Sequence, residues 1–440
     1  MNKKKWVVFV LGATSVCLLV LMIVNIIVDP FMQYHSPLSE MKPYYKYTQE
    51  YAMYWLIGRV KNTPTEAVIV GSSLSNFISS DKLGEQSGLR VVSLSKSAGR
   101  SNIYALFIKE ALKRNRLQTI YYELNFPHLH MEYEGDIPLY LYNFNPIDDV
   151  KYVLNKDVSK MSAYILISCL SDKFQPGNDK RDKIPAKTVF EVDRSQSSSI
   201  YSTLAVARSI YVRHGKVADK SSVKNDYHTK AKKNIEQNII PFLKENPEIK
   251  FVFIVPCISI LNSYDLVCEG TVDDYLAIHK DIMLSILKYD NAEIHMFSDL
   301  EGFVDNLDNY KDRVHYAPAG GDLICNGLKT GAYKVTPENI DERLRHLKSM
   351  AESFEIPFLK EGFTGDDVLE MQQQLIALGY NCRANKVYDG QTRDVVAEFQ
   401  ADHRLEVTGI ATAETRALLQ ELSGKGDRRT VLFERSNSRI

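Results

Sequence analysis

An uncharged apolar segment near the N-terminus constrains the fold of this chain more than any other feature. It runs from Trp6 to Val28, "WVVFVLGATSVCLLVLMIVNIIV", and no charged residue follows until Asp29. As an α-helix, these 23 residues would cross the hydrocarbon core of a bilayer, which is about 30 Å thick. A cleaved signal peptide has a shorter apolar core and small residues at its cleavage site. We therefore expect residues 1–29 to form a cytoplasmic tip and an uncleaved transmembrane anchor.

The basic residues before this segment predict its orientation. Lys3, Lys4 and Lys5 lie directly before the apolar run, and positively charged flanks stay on the cytoplasmic side of a membrane. We expect a single-pass protein of the cell membrane with the bulk of the chain outside the cytoplasm. The tyrosine-rich segment 30–65 is then a membrane-proximal lead-in.

Composition limits the classes to which the rest of the chain can belong. A chain of 440 residues predicts two or more domains. The formal net charge of −1 argues against a nucleic-acid partner, which would require a basic face. Six cysteines are too few for a disulfide scaffold. Cys257 and Cys268 either pair in an oxidising compartment or remain reduced thiols in a core.

From residue 66 the chain alternates between short apolar strands and helical segments, which predicts a parallel sheet with helices on both faces. We expect this α/β domain over residues 66–355, interrupted by an insertion or lid at about 132–225. The strands are predicted at 67–71, 90–95, 119–124, 250–256 and 293–297. The helices are predicted at 101–116, 228–245, 272–289 and 337–352.

Two serines follow the first predicted strand in the sequence Gly71-Ser72-Ser73. The carboxyl edge of a parallel sheet is where ligands bind in open α/β folds. A serine becomes a nucleophile only beside a base, and the base needs an orienting group. Asp312 and His315, three apart in a loop rich in Gly and Pro, are the best candidates for these two roles.

Three further observations concern the same edge of the sheet. The backbone N–H of Gly99, between a strand and a helix, could face a developing oxyanion, and the Asn125 side chain could add a donor. His128 and His130 alternate and could share a face as metal ligands, but no further ligand cluster accompanies them. We therefore predict no metal site.

This order of blocks resembles the SGNH (GDSL-like) hydrolase superfamily. A serine follows the first strand, a glycine the second and an asparagine the third, and Asp-x-x-His comes late. The usual first block is Gly-Asp-Ser; Ser72 in place of the Asp is similar to the membrane-anchored DltD-like and polysaccharide O-acetyltransferase branch. Asn125 lacks the usual Gly-x-Asn-Asp context. The resemblance implies a flavodoxin-like three-layer domain in which the nucleophile is Ser73.

The resemblance also implies the remaining roles and the partners. His315 is the base, Asp312 orients it, and the oxyanion is held by the Ser73 N–H, Gly99 and Asn125. No cofactor is implied. Acyl groups would come from a membrane-bound O-acyltransferase partner. Against this stands a structural interpretation, in which Gly-Ser-Ser is a turn with an N-cap, Asn125 ends a strand through an Asx-turn, and Asp-x-x-His is a surface feature.

Residues 365–422 differ in pattern from the α/β domain before them and resemble the peptidoglycan-binding type 1 domain. The matching pieces are "LGY", "VYDGQT", "VAEFQ" and "VTGIATAETRALL", which predict a small three-helix module. Asn385-Lys386 stands where the family usually has Asp-Gly. We expect residues 356–364 to be a linker and residues 423–440 to be a disordered tail.

Together these features predict an extracytoplasmic acyltransferase that O-acetylates a cell-wall or envelope polysaccharide in bacteria. One alternative is a polysaccharide O-acetyl esterase, which uses the same triad with water as acceptor. A second alternative is a scaffold without catalytic activity that tethers an envelope assembly to the wall.

Overall fold

A six-stranded sheet forms the centre of the computed structural model, which describes residues 3–36, 51–143, 147–174, 201–209 and 225–424. The spatial order of the strands is β2-β1-β3-β4-β5-β6. The first five strands along the chain are parallel, and β6 pairs antiparallel to β5 at one edge. The strands are β1 (Ala67–Gly71), β2 (Val91–Ser95), β3 (Thr119–Glu123), β4 (Lys250–Val255), β5 (Ala292–Met296) and β6 (Lys334–Val335). The predicted, mostly parallel sheet is confirmed.

The strand register brings the ends of the first three strands to one level. Gly71 pairs with Ser95 of β2, and Val70 pairs with Tyr122 of β3. Every residue of β1 and β3 is buried, because helices cover both faces of the sheet. Such strands appear in sequence as continuous apolar runs. The polar residues that follow β1 and β3 therefore emerge side by side at the carboxyl edge.

The helices of this α/β part follow the predicted alternation, with local differences. The predicted helix 228–245 is two helices that meet at Ile239, where Pro241 lies in the first turn of the second. Ser101 is the first helical residue, and Arg100 occupies the N-cap. The helices are α1 (Lys3–Val28), α2 (Ala52–Asn62), α3 (Ser80–Ser87), α4 (Ser101–Arg114), α5 (Val150–Val153), α6 (Lys156–Phe174), α7 (Thr203–Ser209), α8 (Asn225–Asn238), α9 (Ile240–Glu245), α10 (Leu261–Glu269), α11 (Val272–Ile286), α12 (Pro318–Thr330) and α13 (Ile340–Ser353).

The N-terminal helix α1 is long and apolar enough to cross a membrane. The segment after it is more than a lead-in, because α2 belongs to the core of the α/β part. Trp55, Leu56 and Ile57 are at most 5% exposed, and α2 packs against α4. Residues 37–50 of this segment lie outside the described residues.

The predicted insertion 132–225 contributes three described helices, α5, α6 and α7. Both α5 and α6 pack against α1. Residues 144–146, 175–200 and 210–224 of the insertion lie outside the described residues.

The C-terminal module contains three helices, as predicted, and a small two-stranded sheet. Its helices are α14 (Asp366–Ala377), α15 (Gly390–Asp402) and α16 (Ala413–Gly424). The predicted linker 356–364 is corrected, because it contains strand β7 (Phe358–Leu359), which pairs with β8 (Ala411–Thr412) and is buried. The predicted tail begins later than expected, since α16 continues to Gly424, and residues 425–440 lie outside the described residues.

Candidate active site

Ser73 lies directly beyond the carboxyl end of β1, where a short 3-10 helix, Ser73–Phe77, begins. Ser72 caps this helix, and its hydroxyl oxygen accepts the N–H of Leu74 at 3.2 Å. A Cβ atom on Gly71 would lie 1.9 Å from the Ser75 hydroxyl oxygen, so only glycine permits this tight turn. Ser72 is buried and Ser73 is partly exposed. The turn therefore presents the second serine to solvent and the first to the interior.

A buried carboxylate at the end of β3 holds this turn. Glu123 is 2% exposed, and its Oε1 atom accepts the Ser72 hydroxyl at 2.5 Å and the Asn125 side-chain amide at 3.1 Å. Its Oε2 atom accepts the N–H groups of Ser72 and Ser75, at 2.9 and 3.1 Å, and the Ser75 hydroxyl at 2.5 Å. Sequence reasoning missed Glu123. Its signal was a carboxylate at the end of an apolar strand, where an acid is rarely buried without partners.

The segment 309–317 forms a hairpin that carries the other two predicted residues. Tyr310 bridges to Tyr316, and the N–H of Lys311 donates to the carbonyl of His315 at 3.1 Å. The predicted Gly- and Pro-rich loop is shorter than expected, because Pro318 begins α12. Proline suits the first turn of a helix, where its missing N–H has no helical partner. The hairpin places His315 at the same edge of the sheet as Ser73.

The structure brings Ser73, His315 and Asp312 together in one chain of hydrogen bonds. The Ser73 Oγ atom lies 2.8 Å from His315 Nε2, and His315 Nδ1 lies 2.7 Å from Asp312 Oδ2. Asp312 Oδ1 accepts the N–H groups of Val314 and His315 at 2.9 and 2.8 Å. This geometry lets His315 take the serine proton while Asp312 holds the ring in one tautomer.

The charge of Asp312 is stabilised by its neighbours. Burial raises the pKa of its carboxyl, but hydrogen bonds from the His315 ring and from the N–H groups of His315 and Val314 outweigh burial and lower the pKa to about 2. Asp312 is therefore ionised at neutral pH and stabilises a positive charge that forms on His315.

Buried tyrosines and a glycine fix the hairpin against the serine turn. The Tyr316 hydroxyl donates to the Leu74 carbonyl at 2.9 Å, and the Tyr310 hydroxyl donates to the Cys257 carbonyl at 2.7 Å. Both tyrosines are fully buried. In α12, a Cβ on Gly321 would lie 1.8 Å from the carbonyl oxygen of Phe77. The distance between Ser73 and His315 is thus set by the core and not by a loose loop.

The predicted oxyanion donors differ in whether an N–H group remains available to bind an oxyanion. The Gly99 N–H already donates to the Lys96 carbonyl at 2.7 Å, and a Cβ on Gly99 would meet the Tyr104 ring at 2.7 Å. That prediction is corrected: glycine here permits a tight turn and close packing, and its amide is not available. One N–H of the Asn125 amide is held by Glu123, which leaves the second to donate. Ser73 begins its 3-10 helix, where amides lack helical partners.

Two concave regions adjoin the predicted residues. A cavity of about 310 Å³ has mostly apolar walls and includes Asn125 and Arg313, which lies inside the Asp-x-x-His block. A groove of about 570 Å³ is polar and charged, and shares Arg100 with a small pocket that contains Glu123 and Asn125. The groove is lined by Arg100, His130, Met131, Glu132, Glu134, Lys230, Lys233 and Asn234.

Metal-ligand and thiol chemistry find little support in the described part of the chain. No group of three His, Cys, Asp or Glu side chains among the described residues is placed to hold a metal ion. Burial, with Arg100 and His130, lowers the pKa of His128 to about 4. Cys257 and Cys268 are both buried.

Comparisons with known proteins identify one part of the chain. Residues 364–419 match the family model described as "Putative peptidoglycan binding domain". The "Carboxy-terminal processing protease CtpA" of Bacillus subtilis (strain 168) is 42% identical over 67 residues, which are 15% of this chain and only 14% of that protease. A solved structure titled "The structure of a putative platelet activating factor from Streptococcus pneumonia" shares 10% identity at a TM-score of 0.34, with 65% of this chain and 92% of that chain covered.

The family match and the structure of the C-terminal module agree. The matched residues contain α14, α15, β8 and most of α16, and Phe399 and Tyr388 of the module are fully buried. The peptidoglycan-binding family also supports peptidoglycan or a related cell-wall polymer as a partner of the chain. At its C-terminal end this chain carries a peptidoglycan-binding type 1 domain.

Proposed function

We propose that this protein is a membrane-anchored, extracytoplasmic acyltransferase of SGNH type that O-acetylates a cell-wall or envelope polysaccharide. The observation that carries the proposal is the chain of hydrogen bonds from Ser73 through His315 to Asp312, with distances of 2.8 and 2.7 Å. A serine beside a histidine that is itself oriented by a carboxylate is the arrangement required for covalent acyl transfer.

In the first half-reaction the enzyme accepts the acyl group. The Ser73 Oγ atom attacks the carbonyl carbon of the acyl donor while His315 Nε2 takes the serine proton. The tetrahedral oxyanion receives hydrogen bonds from the Ser73 N–H and the Asn125 side-chain amide. When the bond to the leaving group breaks, His315 returns the proton to the leaving group. The product is an ester between the acyl group and Ser73.

In the second half-reaction a sugar hydroxyl replaces the leaving group. His315 Nε2 takes the proton of the acceptor hydroxyl, whose oxygen attacks the ester carbonyl. The bond between the carbonyl carbon and Ser73 Oγ then breaks, and His315 reprotonates the serine. Asp312 stays ionised throughout and stabilises the imidazolium in both steps. The polar groove shares Arg100 with the pocket that contains Glu123 and Asn125. It supports a polysaccharide acceptor, because its charged and amide side chains can form hydrogen bonds with sugar hydroxyls.

The architecture around the site also supports this function. The order of the five parallel strands, 2-1-3-4-5, is the order of flavodoxin-like sheets, in which ligands bind at the carboxyl edge. The apolar helix α1 supplies an anchor, and the C-terminal module supplies affinity for the wall. An enzyme held at both ends would act on polymers between the membrane and the wall, and a membrane-bound O-acyltransferase partner would supply its acyl groups.

The direct test is to trap the acyl-enzyme. The full chain in detergent is incubated with p-nitrophenyl acetate, and its intact mass is measured for wild type, Ser73→Ala and the control Ser349→Ala, an exposed serine on α13. We expect one added acetyl group on the wild type and on Ser349→Ala, and none on Ser73→Ala. Transfer to added wall polysaccharide then separates an acyltransferase from an esterase, which passes the acetyl group to water.

Two outcomes would contradict the proposal. Acetylation of Ser73→Ala at the wild-type level would show that another residue is the nucleophile. Release of acetate without any transfer to polysaccharide, at saturating acceptor, would replace the transferase by the esterase. In either case the wild-type and Ser349→Ala proteins should behave alike, which controls for the loss of a hydroxyl.

A further inference from the structure

The last turns of the anchor helix are buried against the insertion and do not emerge as a free stalk. Asn25 is 0% exposed, and its side-chain amide donates to the Val153 carbonyl at 2.7 Å and to the Ser159 hydroxyl at 2.9 Å. Asp29, 3% exposed, accepts the Tyr152 hydroxyl at 2.9 Å. Helices α5 and α6 are therefore held directly against the end of α1.

The length of α1 places this contact at the outer surface of the bilayer. About 20 helical residues cross the hydrocarbon core, so a span that begins at Trp6 reaches the outer interface near Asn25. The residues of α1 that face α5 and α6 are Leu21, Met22, Val24, Asn25 and Val28, which follow helical spacing. Whatever packs against them lies at the depth of the lipid headgroups.

Helices α5 and α6, which pack against α1, and the turn before α5 expose apolar side chains. We define this lipid-facing patch as Ile147, Val150, Leu154, Tyr164 and Ile167, which are 78%, 44%, 42%, 42% and 64% exposed. Ile147, Val150 and Leu154 lie in and directly beside the one-turn helix α5. A group of exposed apolar side chains on neighbouring elements marks an interaction surface.

The same short segment exposes basic side chains among the apolar ones. Lys151, Lys156 and Lys160 are exposed, and Lys151 pairs with Asp148 at 2.9 Å. Helices that lie in a membrane interface combine apolar side chains directed into the lipid with lysines directed to the headgroups. Asp148, Asp149 and Asp157 lie in the same segment, so its formal charge is balanced. Exposed lysines beside apolar side chains still suit the headgroup layer better than the dry core of a protein interface, from which lysine is depleted.

We propose that α5 and α6 lie in the outer interfacial layer of the membrane, with the lipid-facing patch inserted among lipids beside α1. The occupant of the patch is the bilayer itself, because the patch lies on the two helices that pack against α1, and α1 is already long enough to cross the bilayer. This inference rests on the membrane anchoring stated in the proposed function. It adds that the α/β part sits directly on the bilayer in one orientation.

Tryptophan quenching by brominated lipids tests this proposal on the full chain. The protein is reconstituted into liposomes of phosphatidylcholine and phosphatidylglycerol, with or without bromine on the acyl chains near the headgroup. The chain has two tryptophans: Trp6 in α1 and Trp55, which is 5% exposed. In a Trp6→Phe background, Ile147→Trp and Ile167→Trp report on the patch. Val407→Trp, at a 57% exposed position of the C-terminal module, is the matched control.

We expect brominated lipids to reduce the emission of the two patch tryptophans by about twofold or more, since each ring would lie within the interfacial layer. The Val407→Trp protein should lose no emission beyond that of its background. If brominated lipids reduced the emission of the patch proteins no more than that of the control, while Trp6 of the wild type was quenched, the patch would be overturned and the anchor would remain. Absence of quenching at Trp6 would overturn the anchor, and the patch with it.

Discussion

Glu123 accepts both the backbone N–H and the side-chain hydroxyl of Ser72, at 2.9 and 2.5 Å. The residue before the candidate nucleophile is thus tied to the neighbouring strand β3. This carboxylate accepts five hydrogen bonds, three from N–H groups and two from hydroxyls. An NH2 group in place of either oxygen would therefore face donors and could not accept their hydrogen bonds.

The first prediction is that Glu123→Gln reduces both stability and acylation. At least one buried donor of the serine turn would lose its acceptor, which costs about 1–3 kcal/mol. Urea unfolding followed by the emission of Trp55 measures the first effect, and p-nitrophenol release measures the second. The control Glu85→Gln alters an exposed carboxylate on α3 and should change neither. Wild-type stability in Glu123→Gln would show that the turn does not depend on this carboxylate.

The second prediction concerns the orienting role of Asp312. In Asp312→Asn the side chain keeps its size and can still accept the N–H groups of Val314 and His315, but its amide would hold the imidazole in the wrong tautomer. We expect the acylation rate to fall by about 10³- to 10⁴-fold, as in other Ser-His-Asp sites, with the fold intact. The exposed Asp290→Asn is the control. An acylation rate equal to that of Asp290→Asn would remove Asp312 from the mechanism.

The third prediction is a loss of stability in mild acid caused by His279. This imidazole stacks on Phe126 at 3.9 Å, and its Nε2 atom is buried without a partner among the described residues. Burial lowers the pKa of His279 to about 3. As the pH falls below about 6.5, the unfolded chain takes up a proton that the folded chain refuses until about pH 3, so stability decreases with falling pH.

His279→Gln removes this titration. Between pH 7 and pH 5, we expect the variant to lose about 2 kcal/mol less unfolding free energy than the wild type does. The measurement is urea unfolding at both pH values, monitored at Trp55. His346→Gln, a 44% exposed histidine on α13, should follow the wild type. A variant whose pH dependence matches that of the wild type would contradict the assignment to His279.

The fourth prediction concerns Lys386 in the C-terminal module. Its φ angle is +64°, a left-handed conformation that favours glycine, and the family usually has glycine there. We expect Lys386→Gly to raise the unfolding free energy of the module by about 1 kcal/mol, since its exposed ion pair with Asp366 contributes little. Scanning calorimetry of the full chain measures this. Arg383→Gly, a change of the same kind at a residue without positive φ, should not stabilise the module.

The fifth prediction separates the two ends of the molecule. A chain that ends at residue 355 should no longer sediment with purified peptidoglycan, because it lacks the module from β7 onward. It should still acquire an acetyl group from p-nitrophenyl acetate, because Ser73, His315 and Asp312 are held by the α/β core. If the truncated chain lost acetylation as well as sedimentation, the α/β part would need the module for its activity. Acetylation of neither chain would favour a scaffold.

The sheet could be predicted from the sequence because its strands are buried on both faces. "AVIVG" in β1 and "FVFIV" in β4 are uninterrupted apolar runs, so the positions of these strands are visible without any knowledge of the partner strands. The rule that polar residues after parallel strands meet at one edge predicts the place of Ser73. His315, 242 positions later, does not directly follow a strand; it was a candidate because a serine nucleophile needs an oriented base, and the resemblance supported the same role.

Contacts between distant segments explain what could not be predicted. The Gly99 N–H donates to the Lys96 carbonyl within a turn that packs against Tyr104, and this packing is not visible in the sequence. Strand β7 has two residues and pairs with β8, more than fifty positions away. The role of Glu123 depends on its donors Ser72 and Ser75, which follow β1 and are about fifty positions away in the sequence. None of these relations leaves a periodic signal in the chain.

The connection between the α/β part and the wall-binding module is short and held in place. Four residues separate the end of α13 at Ser353 from the start of β7 at Phe358, and the ring of Phe354 packs edge-on against Tyr264 at 5.7 Å. Even fully extended, four residues reach only about 14 Å. Under the proposed function, a glycan strand captured by the module would be held close to the α/β part that carries Ser73, so the distance between wall and membrane would limit which stretch of polymer is modified.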